Sequence, residues 1–171
     1  MTSLKTAFAC AAAGAAFAVA PAWAETNSAN GPSGAHYANG EAEPICSPTT
    51  PPGVSCTDTI IGGVGNTNAA LHFTVTYSAT VTCTNKGGNT VALKTQFPNS
   101  TNLTLRSSSK NGQLPVPAVT STKPSNVDFE AMAFCPNPNW RKQMVPNSAG
   151  VEGYLYTLTF AGFANPYIEL P

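Results

Sequence analysis

The chain has 171 residues, and its eight Lys/Arg balance eight Asp/Glu. Only 9% of it is charged, against about 25% in an average soluble protein. So few cations argue against nucleic acid, whose phosphates need clustered Lys/Arg, and against electrostatic docking to anionic lipid.

The first 24 residues have the three-part form of a secretory signal. Met1-Thr-Ser-Leu-Lys5 carries one positive charge, and Thr6 to Ala20 is apolar and Ala-rich. Pro21-Ala-Trp-Ala24 then sets small residues where a signal peptidase reads. Gly14 breaks the apolar run and Pro21 ends it, so it is too short for a membrane span of about 20 residues. Cys10 lies too early for lipid attachment. Cleavage near Ala24 is expected, with a secreted or periplasmic product, soluble and not inserted in a membrane. Residues 25–44 are rich in Asn, Ser, Gly and Ala with hardly an aliphatic side chain, which predicts a disordered linker. One domain is expected over residues 45–171.

Four cysteines remain after the signal: Cys46, Cys56, Cys83 and Cys135. In an oxidising compartment two disulfides are the default, and three connectivities are possible. Cys46–Cys56, closing a short Pro-rich loop, and Cys83–Cys135, joining two strand ends, are the expected pair. The longer closure spans about 50 residues and would contribute roughly 4 kcal/mol through chain entropy. Zinc is disfavoured because no Cys-x2-Cys occurs and only two histidines exist. No metal or cofactor is expected.

From Leu71 to Thr84 the pattern alternates strictly. Leu71, Phe73, Val75, Tyr77, Ala79, Val81 and Cys83 form one face, and His72 with a run of Thr and Ser forms the other. This is a half-buried strand, and its length predicts a bend or bulge near Ala79. Asn85-Lys-Gly-Gly-Asn89 is a hairpin turn, with a returning strand through Val91, Leu93, Thr95 and Phe97. A further strand is expected at Thr101–Arg106, and a turn at Lys110-Asn-Gly112. Gln113–Thr120 carries Pro115 and Pro117, which suit an edge strand. Val127, Phe129, Ala131, Ala133 and Cys135 alternate, as do Tyr154, Tyr156, Leu158 and Phe160. Tyr167–Leu170 is a candidate last strand. No helical stripe stands out. The class expected is all-β, an immunoglobulin-like antiparallel sandwich, with a jelly roll as the alternative.

Three stretches carry a resemblance: Val54-Ser-Cys-Thr-Asp58, Cys83-Thr-Asn-Lys-Gly-Gly-Asn89 and Phe134-Cys-Pro-Asn-Pro-Asn-Trp140. They resemble small secreted bacterial β-sandwich proteins stapled by disulfides, which have no assigned activity. The resemblance implies a secreted, disulfide-stapled sandwich and assigns no functional residue.

Catalytic patterns are weak. A Ser/His/Asp relay would have to use His72 with Asp58 or Asp128, and no Gly-x-Ser-x-Gly elbow occurs. Asp128 and Glu130, two apart, read as exposed acids on a strand, with a weak Ca²⁺ site as the rival reading. Ile61-Gly-Gly-Val-Gly65 lacks the Lys-Ser/Thr of a phosphate loop. Asn99-Ser-Thr101 and Asn102-Leu-Thr104 match the glycosylation pattern and point to the surface.

Trp140, the only tryptophan after the signal, has Asn137, Asn139, Arg141 and Lys142 around it. An indole beside amides and cations can stack on a sugar face and bond its hydroxyls. The competing reading has Trp140 capping the end of the sandwich near Cys135. A secreted non-enzymatic domain is expected, one that binds polysaccharide or a cell-surface protein or contributes to a surface layer. A protein-interaction, inhibitor or adhesin-like module using an exposed edge such as Gln113–Thr120 is the alternative. A small secreted hydrolase ranks below both.

Overall fold

The strand with the cleanest alternation becomes the spine of the structure. The computed structural model describes residues 25–108 and 112–171. The expected signal peptide, residues 1–24, lies outside the described residues, as do Lys110 and Asn111. In chain order the elements are β1 (Glu25–Thr26), a 3-10 turn (Ser28–Asn30), β2 (His36–Tyr37), β3 (Cys46–Thr49), β4 (Gly53–Cys56), β5 (Thr59–Gly62), β6 (Ala69–Thr84), β7 (Thr90–Leu105), β8 (Leu114–Val116), β9 (Val119–Thr122), α1 (Asn126–Met132), β10 (Arg141–Met144), β11 (Gly150–Phe160) and β12 (Ile168–Leu170).

β6 pairs with β7 along one whole edge, from Ala69↔Leu105 to Thr84↔Thr90. Its other edge is divided: Ala69–Ser78 takes β11, and Val81–Thr84 takes β10. β12 and then β1 continue the sheet beyond β11. Two three-stranded sheets, β2-β5-β8 and β3-β4-β9, complete an all-β antiparallel sandwich. Leu71, Phe73, Val75, Tyr77 and Val81 on the inner face of β6 are fully buried. Each such side chain contributes about 1.5–3 kcal/mol through its transfer from water. Phe73 meets Tyr156 edge-to-face at 6.3 Å, and the Tyr77 hydroxyl donates to Ser121 Oγ at 3.0 Å, tying β6 to β9 across the core.

Several expectations are corrected. The bulge lies not near Ala79 but in the partner strand, between Val151 and Gly153. It sets Glu152 where Ser78 and Lys94 reach its carboxylate, both at 2.5 Å. The two strands expected around Phe97 and Leu103 are one, because Pro98 sits in an edge strand whose ladder with β6 runs on uninterrupted. Gln113–Thr120 does not form one strand. Pro117 falls in the break between β8 and β9, which are terminal strands of different sheets.

Val127–Met132 is helical, not extended, and only Ala133, the residue that ends the helix, has extended backbone. Ser125 caps α1: its hydroxyl accepts from the Asp128 N–H, while the Asp128 carboxylate accepts from the Ser125 N–H at 2.9 Å. The Ser125 hydroxyl, which donates to the same carboxylate at 2.7 Å, and then the Ser125 N–H hold the Asp128 carboxyl below its ordinary value. The short helix buries Phe129, which meets Phe97 edge-to-face at 6.3 Å. Cys135 therefore follows a helix rather than ending a core strand.

Residues 25–44 are ordered rather than disordered. β1 pairs with β12, the Asn27 N–H donates to the Tyr167 carbonyl at 2.8 Å, and Asn30 Nδ2 donates to the Pro166 carbonyl at 2.9 Å. The segment lacks aliphatic residues because its contact is made by glycine. Gly31 lies against Phe160 and Tyr167, and a Cβ there would sit 2.7 Å from the Tyr167 ring. Thr26 joins this anchorage, bonding the Tyr37 hydroxyl and the Glu43 carboxylate at 2.6 Å each. Burial pushes the Tyr37 hydroxyl up to about 12 and also raises Tyr156, whose own hydroxyl is buried with no protein partner.

Candidate functional site

Two disulfides lock the loops of the sandwich. Cys46–Cys56 closes the β3–β4 hairpin, and Cys83–Cys135 ties the last turn of β6 to the loop after α1. The second bond matters for the site. Cys83 lies two residues before the Asn85 turn, and Cys135 lies five before Trp140. One covalent link thus brings a hairpin tip and a loop together.

Each side of the meeting place is built from its own local bonds. On the hairpin side, Asn85 Oδ1 accepts the Asn89 N–H at 2.9 Å, and Gly88 adopts φ 82°, a conformation that favours glycine. On the loop side, Asn137 Oδ1 accepts the Asn139 N–H at 2.9 Å, and the Asn137 carbonyl accepts the Trp140 N–H at 3.1 Å. β10 follows at once, with Arg141 opposite Thr84 and Lys142 opposite Cys83.

An open cleft of 590 Å³ results, lined by Asn85, Lys86, Asn137, Asn139 and Trp140. The indole of Trp140 is half-buried, and Asn137 and Asn139 are exposed. Of the five residues predicted for the site, Asn137, Asn139 and Trp140 line the cleft. Arg141 and Lys142 do not line it: on β10 Arg141 is exposed and Lys142 is half-buried on the opposite face. Asn85 and Lys86 were not predicted. Their signal was the disulfide spacing, which places the hairpin tip beside the tryptophan loop.

The groups considered for catalysis are dispersed. His72 Nδ1 bonds Asn102 Oδ1 at 2.5 Å on the outer face of β6. Asp128 is engaged by Ser125, and Glu130 Oε1 accepts the Met144 N–H at 2.9 Å. His72, Asp58 and Asp128 therefore form no hydrogen-bonded relay. Among the described residues, no group of three His, Cys, Asp or Glu converges as a metal site. No helix among them is long and apolar enough to cross a membrane. His36 lies in β2, its Nδ1 beside the Gly34 carbonyl. Of the two glycosylation-pattern asparagines, Asn99 donates to the Thr122 carbonyl at 3.4 Å, and Asn102 holds His72.

A second recess of 370 Å³ lies where β3 and β4 meet the start of β11, walled by Pro48, Pro52, Val54, Val151, Tyr154 and Pro171. It is apolar and offers hydroxyls from Thr49 and Tyr154 but no charge or amide side chain. The Trp140 cleft is the place where an aromatic face, amides and a cation converge. No family model, curated protein or solved structure matches the chain.

Proposed function

We propose that the chain is a non-catalytic binding domain that works outside the cytoplasm and takes a sugar of a polysaccharide or cell-surface glycan in the Trp140 cleft. One observation carries the reading. The only tryptophan of the mature chain stands half-buried in an open cleft with three asparagines and a lysine. The apolar face of a pyranose stacks on an indole, while amides meet its hydroxyls. The disulfide at the foot of both loops preorganises them, so little ordering is left for the ligand to impose. Two disulfides also suit an oxidising compartment.

Affinity electrophoresis through gels cast with a panel of polysaccharides tests this. The native protein is retarded in at least one gel, and Trp140→Ala runs unretarded in it. Equal retardation of the two proteins, or none in any gel, refutes the reading.

A second observation favours protein interaction. Among the described residues β7 pairs only with β6, so the 16-residue strand is a sheet edge, and Phe134 beside its start is 90% exposed. Leu93, Met132 and Phe134 share a recess there. Unpaired edges with flanking apolar side chains accept another strand, here the β7 edge of a second copy. Lys94 and Pro98 on the same strand oppose such pairing, which ranks this reading second. Sedimentation across a concentration series checks it: a monomer throughout ends it, and a dimer abolished by Phe134→Ser supports it.

A further inference from the structure

The sugar-binding reading leaves the ligand's charge open, but the hydrogen-bonding inventory of the cleft is one-sided. Of the two ends of an asparagine amide, only the oxygen can accept a backbone N–H. The bond from the Asn89 N–H therefore orients Asn85, with one lone pair of its oxygen engaged and its NH₂ free to donate. The bond from the Asn139 N–H does the same to Asn137. The Trp140 indole adds an N–H, and Lys86 adds an ammonium. Asn139 alone among the lining residues has a side-chain oxygen not used by its own loop, and no Asp or Glu lines the cleft.

Cations collect at this end of the molecule. Lys86 lines the cleft, and Arg141 follows Trp140 directly and pairs with Thr84, the residue before Asn85. β10 itself has no acid, and Glu130 of α1 meets it at the far end, where its Oε1 accepts the Met144 N–H. The ion pair among the described residues, Lys94 with Glu152, involves neither Lys86 nor Arg141. The chain as a whole has a formal net charge of zero, so an anion drawn here is drawn by this cluster and not by the molecule's overall field.

Resting on the sugar-binding reading, we infer that the Trp140 cleft selects an anionic saccharide, one whose ring carries a carboxylate, sulfate or phosphate ester. The ring stacks on Trp140. The anionic group accepts from Lys86, from the free amide NH₂ of Asn85 or Asn137, and from Arg141 of β10. Charge-assisted bonds of this kind are shorter and roughly twice as strong as neutral ones. A neutral sugar hydroxyl can accept from the same ammonium but offers no opposite charge.

Matched probes distinguish the charge from the ring. Trp140 fluorescence is titrated with oligogalacturonate and its neutral methyl ester, and with dextran sulfate and dextran, at low and high ionic strength. At least one anionic probe is expected to bind roughly tenfold more tightly than its neutral partner. Salt should narrow the gap, and Lys86→Gln or Arg141→Gln should remove most of it. Equal affinity for both members of each pair overturns the inference and leaves sugar binding intact. Anionic binding that Trp140→Ala and Lys86→Gln both leave untouched, read by retardation in gels cast with the anionic polysaccharide, is general polyanion adhesion and also overturns it. If no saccharide, charged or neutral, perturbs Trp140, the sugar-binding reading itself fails.

Discussion

The two halves of β6 share a buried face and differ in what adjoins it. From Ala69 to Ser78 the strand lies between β7 and the long β11, its inner side chains packed into the aromatic core. From Ala79 to Thr84 it lies between β7 and the four-residue β10, capped by α1 and stapled by Cys83–Cys135. Both halves bury their inner side chains, Ala79, Val81 and Cys83 as completely as Leu71 to Tyr77, and the second adds a covalent tie. The first half adjoins the apolar recess at the start of β11, whereas the second carries the cleft where an indole, amides and a cation meet. A hairpin tip tied to a loop by a disulfide gives the second its polar concavity.

Substitutions should separate the two regimes. Phe73→Ala removes a fully buried ring from the first half and should cost about 3–5 kcal/mol, read by denaturant unfolding. A loss under about 1 kcal/mol would mean that the ring is not packed as described. Replacing Cys83 and Cys135 together by Ala should cost less, about 2–4 kcal/mol, for a bond spanning 52 residues. Its second effect should be loss of saccharide retention even at temperatures where the domain is folded. Full retention in the folded double variant would show that the disulfide does not shape the cleft.

The smallest effect concerns the buried tyrosines of the first half. Tyr37 is raised from 10.0 to about 12, and Tyr77, Tyr156 and Tyr167 are also raised, in each case chiefly by burial. A folded-state value above the unfolded one gives stability that is present below pH 10 and lost as pH rises through the folded value. Unfolding free energy should therefore hold to about pH 10 and fall toward pH 12, with tyrosinate absorbance appearing as the chain unfolds. Tyr156→Phe should weaken this fall and raise stability at neutral pH by about 1 kcal/mol, because it deletes a buried hydroxyl without a partner. A loss of stability on that substitution would mean that the hydroxyl is satisfied.

The same division governs what could be read in advance. β6 was legible because one inward and one outward face leave an unbroken period of two, and the Asn-Lys-Gly-Gly-Asn turn was legible because glycine chemistry marks it. α1 was not. Val127, Phe129, Ala131 and Ala133 alternate by coincidence, and a short helix needs only Phe129 buried and a cap. The signal available was Ser125-x-x-Asp128 behind Pro124. The docking of residues 25–44 was hidden because its contact residue is Gly31, where packing depends on an absent side chain. Trp140, Asn137 and Asn139 stood out by residue type. Asn85 and Lys86 did not, since turn residues read as builders of the turn, and only the Cys83–Cys135 tie brings them across.

The most direct measurement follows the indole itself. The ¹H–¹⁵N spectrum of the chain from Glu25 onward holds a single indole cross-peak, from Trp140. On addition of a saccharide that retards the protein, that peak should shift together with the amides of Lys86 and Asn139, while those of Phe73 and Tyr156 stay in place. An unmoved indole peak, with shifts confined to the Pro48–Tyr154 recess or the β7 edge, would contradict the assignment of the cleft.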